Sequence, residues 1–405
     1  MNAPSPPHAE RGSVGEVALA FAHLGCTSFG GPIAHIGYFR EAFVARRAWI
    51  DDDEFAELVA LCQFLPGPAS SQLVFALGLR RAGLVGAIVA SLCFTAPSAA
   101  LMIAFAYGVA RAAPSPDAGW LHGLKLAAVA VVAQAVWAMG QKLCTDRARI
   151  TLCVVAAAAL LVWPGALAQL SVLSLGAIAG WALDRDATNA STTPSETRPS
   201  PPSRWAALAL AVFALSLVAL PSLARATGSR DVLVFDAFYR AGSLVFGGGH
   251  VVLPLLRAEV VPRGWLTEAT FVAGYGAAQA VPGPLFTFSA FVGASMNSGH
   301  PRWAYGLYCL LAIFAPAWLL IAGALPFWSR IRAKRWARGA LSGANATVVG
   351  LLLAALYRPV FTESVRDARD VAVVLLAFVA LERWKAPPWL VVVACSLIGQ
   401  LLLAR

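Results

Sequence analysis

"QFLPGPASSQL" (residues 63–73) lies within a long apolar segment, and "QAVPGPLFTFS" (residues 279–289) repeats its Gln-x-x-Pro-Gly-Pro pattern in a second one. Proline inside a helix removes a backbone donor and clashes with the preceding turn, at a cost of about 3 kcal/mol or more. The adjacent glycine weakens the helix further. We therefore predict that each segment contains a broken helix, at Pro66, Pro68, Pro282 and Pro284.

The composition around these segments is typical of a membrane protein. The 405 residues are 59% hydrophobic and 13% charged, with a mean hydropathy of +0.69. Apolar runs approaching the length needed to cross a bilayer, about 20 residues, recur along the chain. They predict an all-α polytopic fold of about thirteen transmembrane helices, at residues 14–39, 55–78, 84–110, 121–140, 150–163, 166–183, 205–223, 232–256, 271–294, 303–328, 340–357, 371–381 and 388–403.

The chain contains an internal duplication. Residues 28–78 align with residues 245–294 with one single-residue gap, and the matched positions include both Pro-Gly-Pro motifs, Arg40 with Arg257, and Gln63 with Gln279. Such ordered self-similarity indicates a repeated structural unit. We expect a first repeat at residues 14–183 and a second at residues 232–405, after a cytoplasmic tail at residues 1–13.

The segment between the repeats predicts how they are oriented. Residues 184–204 are rich in Pro, Ser and Thr, which indicates a disordered cytoplasmic linker. The apolar run at residues 205–223 is left over as a linking transmembrane helix, and one such helix gives the second repeat an inverted topology. The Lys and Arg residues between the runs favour a cytoplasmic N-terminus. Re-entrant Pro-Gly-Pro hairpins would place the basic residues 330–338 outside, so full crossings are preferred.

A broken helix at mid-membrane depth is an expected anion-binding site. Its freed backbone groups must be buried in protein or face a wet cavity, and the new half-helix begins with unpaired amides at the positive end of its dipole. The candidate ligands around Gly67 and Gly283 are Gln63, Ser70, Ser71 and Gln72 in the first repeat and Gln279 and Thr287 in the second. In the alternative interpretation the prolines only kink packed helices.

A glycine motif accompanies each break. Gly30 and Gly31 follow Phe29, and Gly247 and Gly248 follow Phe246. Consecutive glycines allow close approach of another helix or of a ligand. Arg40 and Arg257, equivalent and nearby, are candidates for bidentate binding of an oxyanion, although an ordinary role at the helix flanks explains them equally well. His35 and His250 are not equivalent, and a single histidine on a helix is usually a packing residue.

Other classes of function receive little support. The net charge of +10 comes from Lys and Arg clustered between the apolar runs, which argues against a nucleic-acid partner. The seven cysteines are scattered without metal-ligand spacing, so we expect no metal and no cofactor. There is no GxxxxGK[ST] loop, so we expect neither an ATPase nor another enzyme.

The motifs "FGGPIAHIGYF", "QFLPGPASSQL", "VFGGGHVVLPLL" and "AQAVPGPLFTFSAFVG" resemble those of the chromate ion transporters in their long two-domain form. The resemblance covers nearly the whole chain. It implies a prokaryotic inner-membrane protein that exports chromate and confers chromate resistance. It also adds His250 to the substrate-binding candidates, and it differs between the halves at Pro32 and Gly249. Sulfate transport, an anion channel and homo-oligomerisation stay open.

Overall fold

The protein is helical throughout its described part. The computed structural model describes residues 12–28, 31–112, 118–163, 166–183, 204–245, 251–328 and 335–402. These contain sixteen α-helices: α1 (Val14–Thr27), α2 (Gly31–Arg40), α3 (Asp52–Phe64), α4 (Ala69–Ala112), α5 (Gly119–Leu143), α6 (Arg147–Val162), α7 (Ala166–Leu183), α8 (Arg204–Thr227), α9 (Arg230–Ser243), α10 (Val252–Val260), α11 (Glu268–Ala278), α12 (Phe288–Ser295), α13 (Arg302–Ala324), α14 (Arg335–Ala355), α15 (Ala368–Glu382) and α16 (Pro388–Leu402).

The helices have the apolar character of a membrane protein. Four stretches in the described part are long and apolar enough to cross a bilayer: Ala69–Arg111, Gly119–Leu143, Arg204–Thr227 and Arg302–Phe327. On α8 the side chains of Leu215 and Val218 are 66% and 69% exposed, a surface that suits lipid better than water. The all-α, polytopic membrane fold predicted from composition is confirmed.

Local sequence signals set the bounds of the helices that carry the motifs. The Asp51 carboxylate caps α3 by accepting a hydrogen bond from the amide of Glu54 (2.8 Å), and Thr267 caps α11 in the same way. Leu65, which precedes Pro66, has extended backbone angles (φ −73°, ψ 146°). A residue before proline is disfavoured in the helical region, so α3 ends before the first Pro-Gly-Pro.

The predicted crossings at residues 14–39 and 55–78 are hairpins in the structure. The rings of Phe21 on α1 and Phe43 beyond α2 are 4.9 Å apart, whereas 22 residues of straight helix would separate them by about 33 Å. Glu54 at the start of α3 forms an ion pair with Arg80 on α4. Each of these segments therefore runs into the molecule, turns at its glycine or Pro-Gly-Pro motif and returns to the same end.

The second repeat contains the same two hairpins, at residues 232–256 and 271–294. Arg240 on α9 lies 3.4 Å from Glu259 on α10, and the rings of Phe271 on α11 and Phe288 on α12 are 4.9 Å apart. In the first repeat the chain reverses again at Ala82–Gly83, where φ and ψ leave the helical region. This reversal divides α4 into a short arm (residues 69–81) and a long arm (residues 84–112).

These hairpins correct the expectation of full crossings at four segments. The physical reason is the interruption of the backbone: α1 ends at Thr27 and α3 at Phe64, and the helix that follows each break packs back alongside it. The sequence correctly predicted the breaks at the two Pro-Gly-Pro motifs, but not those in the other two hairpins. It did not show that the chain turns back there, because a break in a helix fixes no direction for the segment that follows.

The hairpins of the two repeats open at opposite ends of the molecule. We call the end at which α1 begins the first end; the long arm of α4 runs from it to the second end. Ala110, at the far end of that arm, borders the same cavity as Thr267 and Thr270 at the start of α11. The remaining helices of the two repeats also pack against each other. Helix α5 of the first repeat contacts α15 and α16 of the second, and α14 of the second repeat contacts α6 and α7 of the first.

Candidate functional site

The two Pro-Gly-Pro turns contact Ser28 and Val245 of the other two hairpins inside the molecule, and we call this meeting point the tip junction. Two backbone hydrogen bonds join them. The amide of Gly67 donates to the carbonyl of Val245 (2.6 Å), and the amide of Gly283 donates to the carbonyl of Ser28 (2.8 Å). Gly67 is equivalent to Gly283 and Ser28 to Val245, so each repeat makes the same contact to the other.

Both central glycines have backbone angles that side chains disfavour. The φ angle is +120° at Gly67 and +92° at Gly283. A Cβ at Gly67 would lie 3.3 Å from the Cβ of Ala317 on α13, and one at Gly283 would lie 2.9 Å from the Oγ of Ser98 on α4. Glycine is thus required at both turns for backbone conformation and for close approach to the long helix of the other repeat.

Several polar atoms at the tip junction are buried without a hydrogen-bond partner in the described part of the chain. They are Ser28 Oγ, His35 Nδ1, Ser71 Oγ, Gln72 Oε1 and Gln279 Nε2. Leaving such a group unpaired costs about 1–3 kcal/mol, so each is expected to meet water or a ligand. Most of them can donate a hydrogen bond, as an oxyanion requires.

The first repeat presents more donors to the tip junction than the second. The short arm of α4 begins at Ala69, so its first amides lack intrahelical acceptors. Ser70, Ser71 and Gln72 are buried beside them, and Gln72 Nε2 donates to the carbonyl of Pro66 (2.8 Å). In the second repeat the hydroxyl of Thr287 donates to the carbonyl of Pro284 (2.9 Å), within its own turn.

The structure places the two candidate arginines away from the tip junction. Arg40 is the last residue of α2, about 14 Å along the helix axis from its start. Its Nε donates to Asp52 at the start of α3 (2.7 Å), and Arg257 makes a bidentate pair with the equivalent Glu268 (both 2.7 Å). These pairs tie the two hairpins of each repeat together at their open ends.

The remaining candidates divide into two groups. Gly31 begins α2 with φ +75°, Gln63 lies exposed on α3 just before the turn, and Gln279 follows the last residue of α11. Gly30, Gly247, Gly248 and His250 lie outside the described residues. Substrate binding by any of these positions stays a prediction.

Sequence reasoning gave too little weight to His35. Its ring is fully buried, packs edge-on against Phe94 (centroids 5.4 Å apart), and has Nε2 3.2 Å from the carbonyl of Ser28. The same carbonyl also accepts a hydrogen bond from the amide of Gly283, so His35 is part of the tip junction. The signal available in the sequence was its position four residues after Gly31, but the lack of an equivalent histidine in the second repeat concealed it.

The two ends of the molecule differ where equivalent helices meet. In the first repeat His23, Tyr38 and Arg47 border a cavity of about 470 Å³ between α1 and α2. In the second repeat Arg240 and Glu259 stand at the positions of His23 and Ala42 and form an ion pair. Asp236 and Arg263 extend that pair into a network.

The surrounding helices add to this difference. Tyr38 on α2 is 42% exposed, whereas the equivalent Leu255 on α10 is 5% exposed. The reason is that α10 packs against α7 and α14 of the scaffold, and the side chain of Gln169 on α7 donates to the carbonyl of Pro254 (3.4 Å). The first end is thus open between its hairpin helices, and the second end is closed.

Comparison with known proteins gives a consistent set of relatives. The family model described as "Chromate transporter" matches residues 15–181 and again residues 232–400. The chain is 30% identical to the chromate transport protein of Pseudomonas aeruginosa, over 82% of this chain and 77% of the relative. It is 26% identical to the chromate transport protein of Cupriavidus metallidurans, over 98% of both chains. It is 24% identical to a probable chromate transport protein of Synechococcus elongatus, over 96% of this chain and 95% of the relative. No solved structure matches the chain.

Proposed function

The chain belongs to the chromate transporter family, and on this premise we propose that it is a secondary transporter that exports chromate with the substrate bound at the tip junction. One observation carries the choice of site. The Pro-Gly-Pro turn of each repeat is hydrogen-bonded there to the first hairpin of the other repeat, and buried polar groups without partners in the described part of the chain lie beside these contacts. A tetrahedral dianion needs several such donors at once, supplied from more than one side.

We propose an inverted-repeat topology with nine crossings and four re-entrant hairpins. The count follows from four segments in each repeat that do not double back (the long arm of α4 with α5, α6 and α7, and their counterparts α13 to α16), with α8 between the repeats. A single linking helix places the start of α9 on the opposite side from the start of α1. Secondary transporters commonly combine inverted repeats with a substrate site at the repeat interface.

Charge distribution supports a cytoplasmic first end. Connections at this end contain the basic stretches at residues 40–47, 80–81, 142–149 and 330–338, and most of the 31 Lys and Arg residues of the chain. Positive residues accumulate in cytoplasmic loops of membrane proteins. The hairpin topology therefore keeps residues 330–338 and the N-terminus in the cytoplasm of a prokaryotic cell, with the protein in the inner membrane.

The membrane potential can drive export without ATP. Moving one elementary charge is worth about 2.3 kcal/mol per 100 mV, so a dianion leaving an inside-negative cell gains about 4.6 kcal/mol per 100 mV. The hairpin helices are open at the first end and closed at the second. This asymmetry supports alternating access, because two inverted repeats can exchange conformations and thereby open one side of the membrane at a time. This structure then corresponds to the state that is open to the cytoplasm.

Uptake of radiolabelled chromate into proteoliposomes tests the proposal. With a potential that is positive inside, we expect chromate to accumulate in a saturable way, and this accumulation should reverse when the potential is inverted. Sulfate should compete with chromate because the two ions have the same charge and shape. Empty liposomes and liposomes with protein at zero potential are the controls. Absence of chromate flux under either potential would refute the proposal, and electrical currents that do not saturate would favour an anion channel instead.

A further inference from the structure

A second cavity lies between the repeats, near the second end. It has a volume of about 240 Å³ and is bordered by α5, by the far end of the long arm of α4 and by the first half of α11. Its lining is mostly apolar and includes Phe105, Leu121 and Phe291. The exceptions are the ammonium-bearing side chain of Lys125 on α5 and the hydroxyls of Thr267 and Thr270 on α11.

Lys125 is an unusual residue for this location. Its exposure is 4%, and ionisable side chains inside a membrane protein are costly and usually face a functional cavity. The ammonium group of a lysine has three hydrogen-bond donors and is attached to a long flexible chain, so it can stay in contact with an anion that changes position. The cavity has room for a tetrahedral oxyanion together with several waters, each of which occupies about 30 Å³ in the liquid.

The equivalent positions at the first end have the opposite electrostatic character. The alignment of the repeats places Thr270 against Glu54 and Ala273 against Glu57, and extending the match of Val131-Val132 with Val348-Val349 places Lys125 against Ser342. The first end thus has carboxylates and no lysine at these positions, whereas the second end has the lysine and no carboxylate. The ammonium of Lys125 thus places a positive charge beside the second-end cavity, at a position where the first repeat has Ser342.

The cavity and the tip junction lie along the same helix, α11. Ala273 borders the cavity, and Gln279, the residue after α11 and four residues before Gly283, is about 9 Å farther along the helix axis. We propose that the Lys125 cavity is a second binding site for a tetrahedral dianionic oxyanion; the class of substrate is taken from the proposed function. It lies between the tip junction and the second end, and the anion occupies it after leaving the junction.

Direct binding to purified full-length protein tests this site. Radiolabelled chromate and radiolabelled sulfate are titrated separately by equilibrium dialysis into wild-type protein, Lys125→Met, Lys125→Arg and Lys142→Met. Lys142 is the matched control, because it is a lysine in the last turn of the same helix and exposed. We expect two binding components in the wild type and in Lys142→Met. Lys125→Met should weaken one component at least tenfold, and Lys125→Arg should restore most of it.

Thermal unfolding of the same variants separates binding from packing. If Lys125 only stabilises the helix interface, Lys125→Met will lower the Tm and leave both components unchanged, which would overturn the site. If sulfate binding depends on Lys125 while the wild type neither binds nor transports chromate, the proposed substrate is wrong and the oxyanion site stands. A single binding component unaffected by Lys125→Met, beside normal chromate transport, would refute the site alone.

Discussion

Replacing either central glycine with alanine should impair transport beyond its effect on the backbone. At Gly283 the φ angle is +92°, and a Cβ would lie 2.9 Å from Ser98 Oγ. The left-handed conformation costs a non-glycine residue about 1–2 kcal/mol, and displacing the turn from Ser28 loses a hydrogen bond worth about 0.5–1.5 kcal/mol. The backbone strain lowers stability, whereas the lost hydrogen bond alone corresponds to a loss in transport kcat/KM of about 2- to 13-fold.

Gly228 provides the matched control. It also has a positive φ (+62°), but it lies between α8 and α9, and a Cβ there would have no atom within 4 Å. Gly228→Ala therefore carries the same kind of backbone strain without contacting the tip junction. Initial rates of chromate uptake would be measured in proteoliposomes at several concentrations, with the Tm of each purified variant recorded in detergent.

The two variants should differ in transport more than in stability. We expect Gly228→Ala to retain wild-type kcat/KM and Gly283→Ala to lose most of it, with Gly67→Ala behaving like Gly283→Ala because the two turns make reciprocal contacts. Equal transport by Gly228→Ala and Gly283→Ala would refute the argument. It would mean that the precise approach of the Pro-Gly-Pro turns is irrelevant to the substrate.

Three further predictions follow from individual contacts. Ser71→Ala removes a buried hydroxyl that has no hydrogen-bond partner among the described residues and should lower chromate uptake about tenfold. Leu73→Ala should lower the Tm instead, and equal effects of both on uptake would support a packing role for Ser71. Arg240→Ala leaves the buried carboxylate of Asp236 without its guanidinium and leaves Glu259 paired with Arg263 alone. It should cost about 3 kcal/mol of stability, and an unchanged Tm in thermal unfolding would argue against the network. Cysteines replacing Glu54 and Arg80 in a variant without the native cysteines should be linked by a short bifunctional thiol reagent, because the ion pair of these two long side chains brings the residues near each other. A straight helix would hold them about 39 Å apart, and failure to cross-link, judged by electrophoretic mobility, would contradict the hairpin.

The ion pairs of Arg40 and Arg257 illustrate what equivalence between the repeats can indicate. Their matching positions suggested either a shared role at the substrate or an ordinary role at the helix flanks. In the structure each arginine joins the end of one hairpin to the start of the next through Asp52 or Glu268, and a role at the substrate stays a prediction. Internal symmetry therefore identifies positions under a common constraint, and the contacts decide whether the constraint is structural.

The sequence by itself determined the membrane character, the duplication and the positions of the breaks. Each is a property of local composition or of self-similarity: apolar runs partition into lipid, and proline and glycine interrupt a helix wherever it is placed. Those rules placed Pro66 and Pro282 at breaks and identified Ser71 and Gln72 as residues beside one of them.

Only the tertiary structure decided the direction of the chain after each break and which turns meet. The reciprocal contacts of Gly67 with Val245 and of Gly283 with Ser28 join residues far apart in sequence. His35 and Lys125 likewise gain their surroundings from other helices, and no local pattern specifies them. The physical reason is that a freed backbone group in lipid must find a partner, but its identity depends on how whole helices pack, which is a property of the assembled fold.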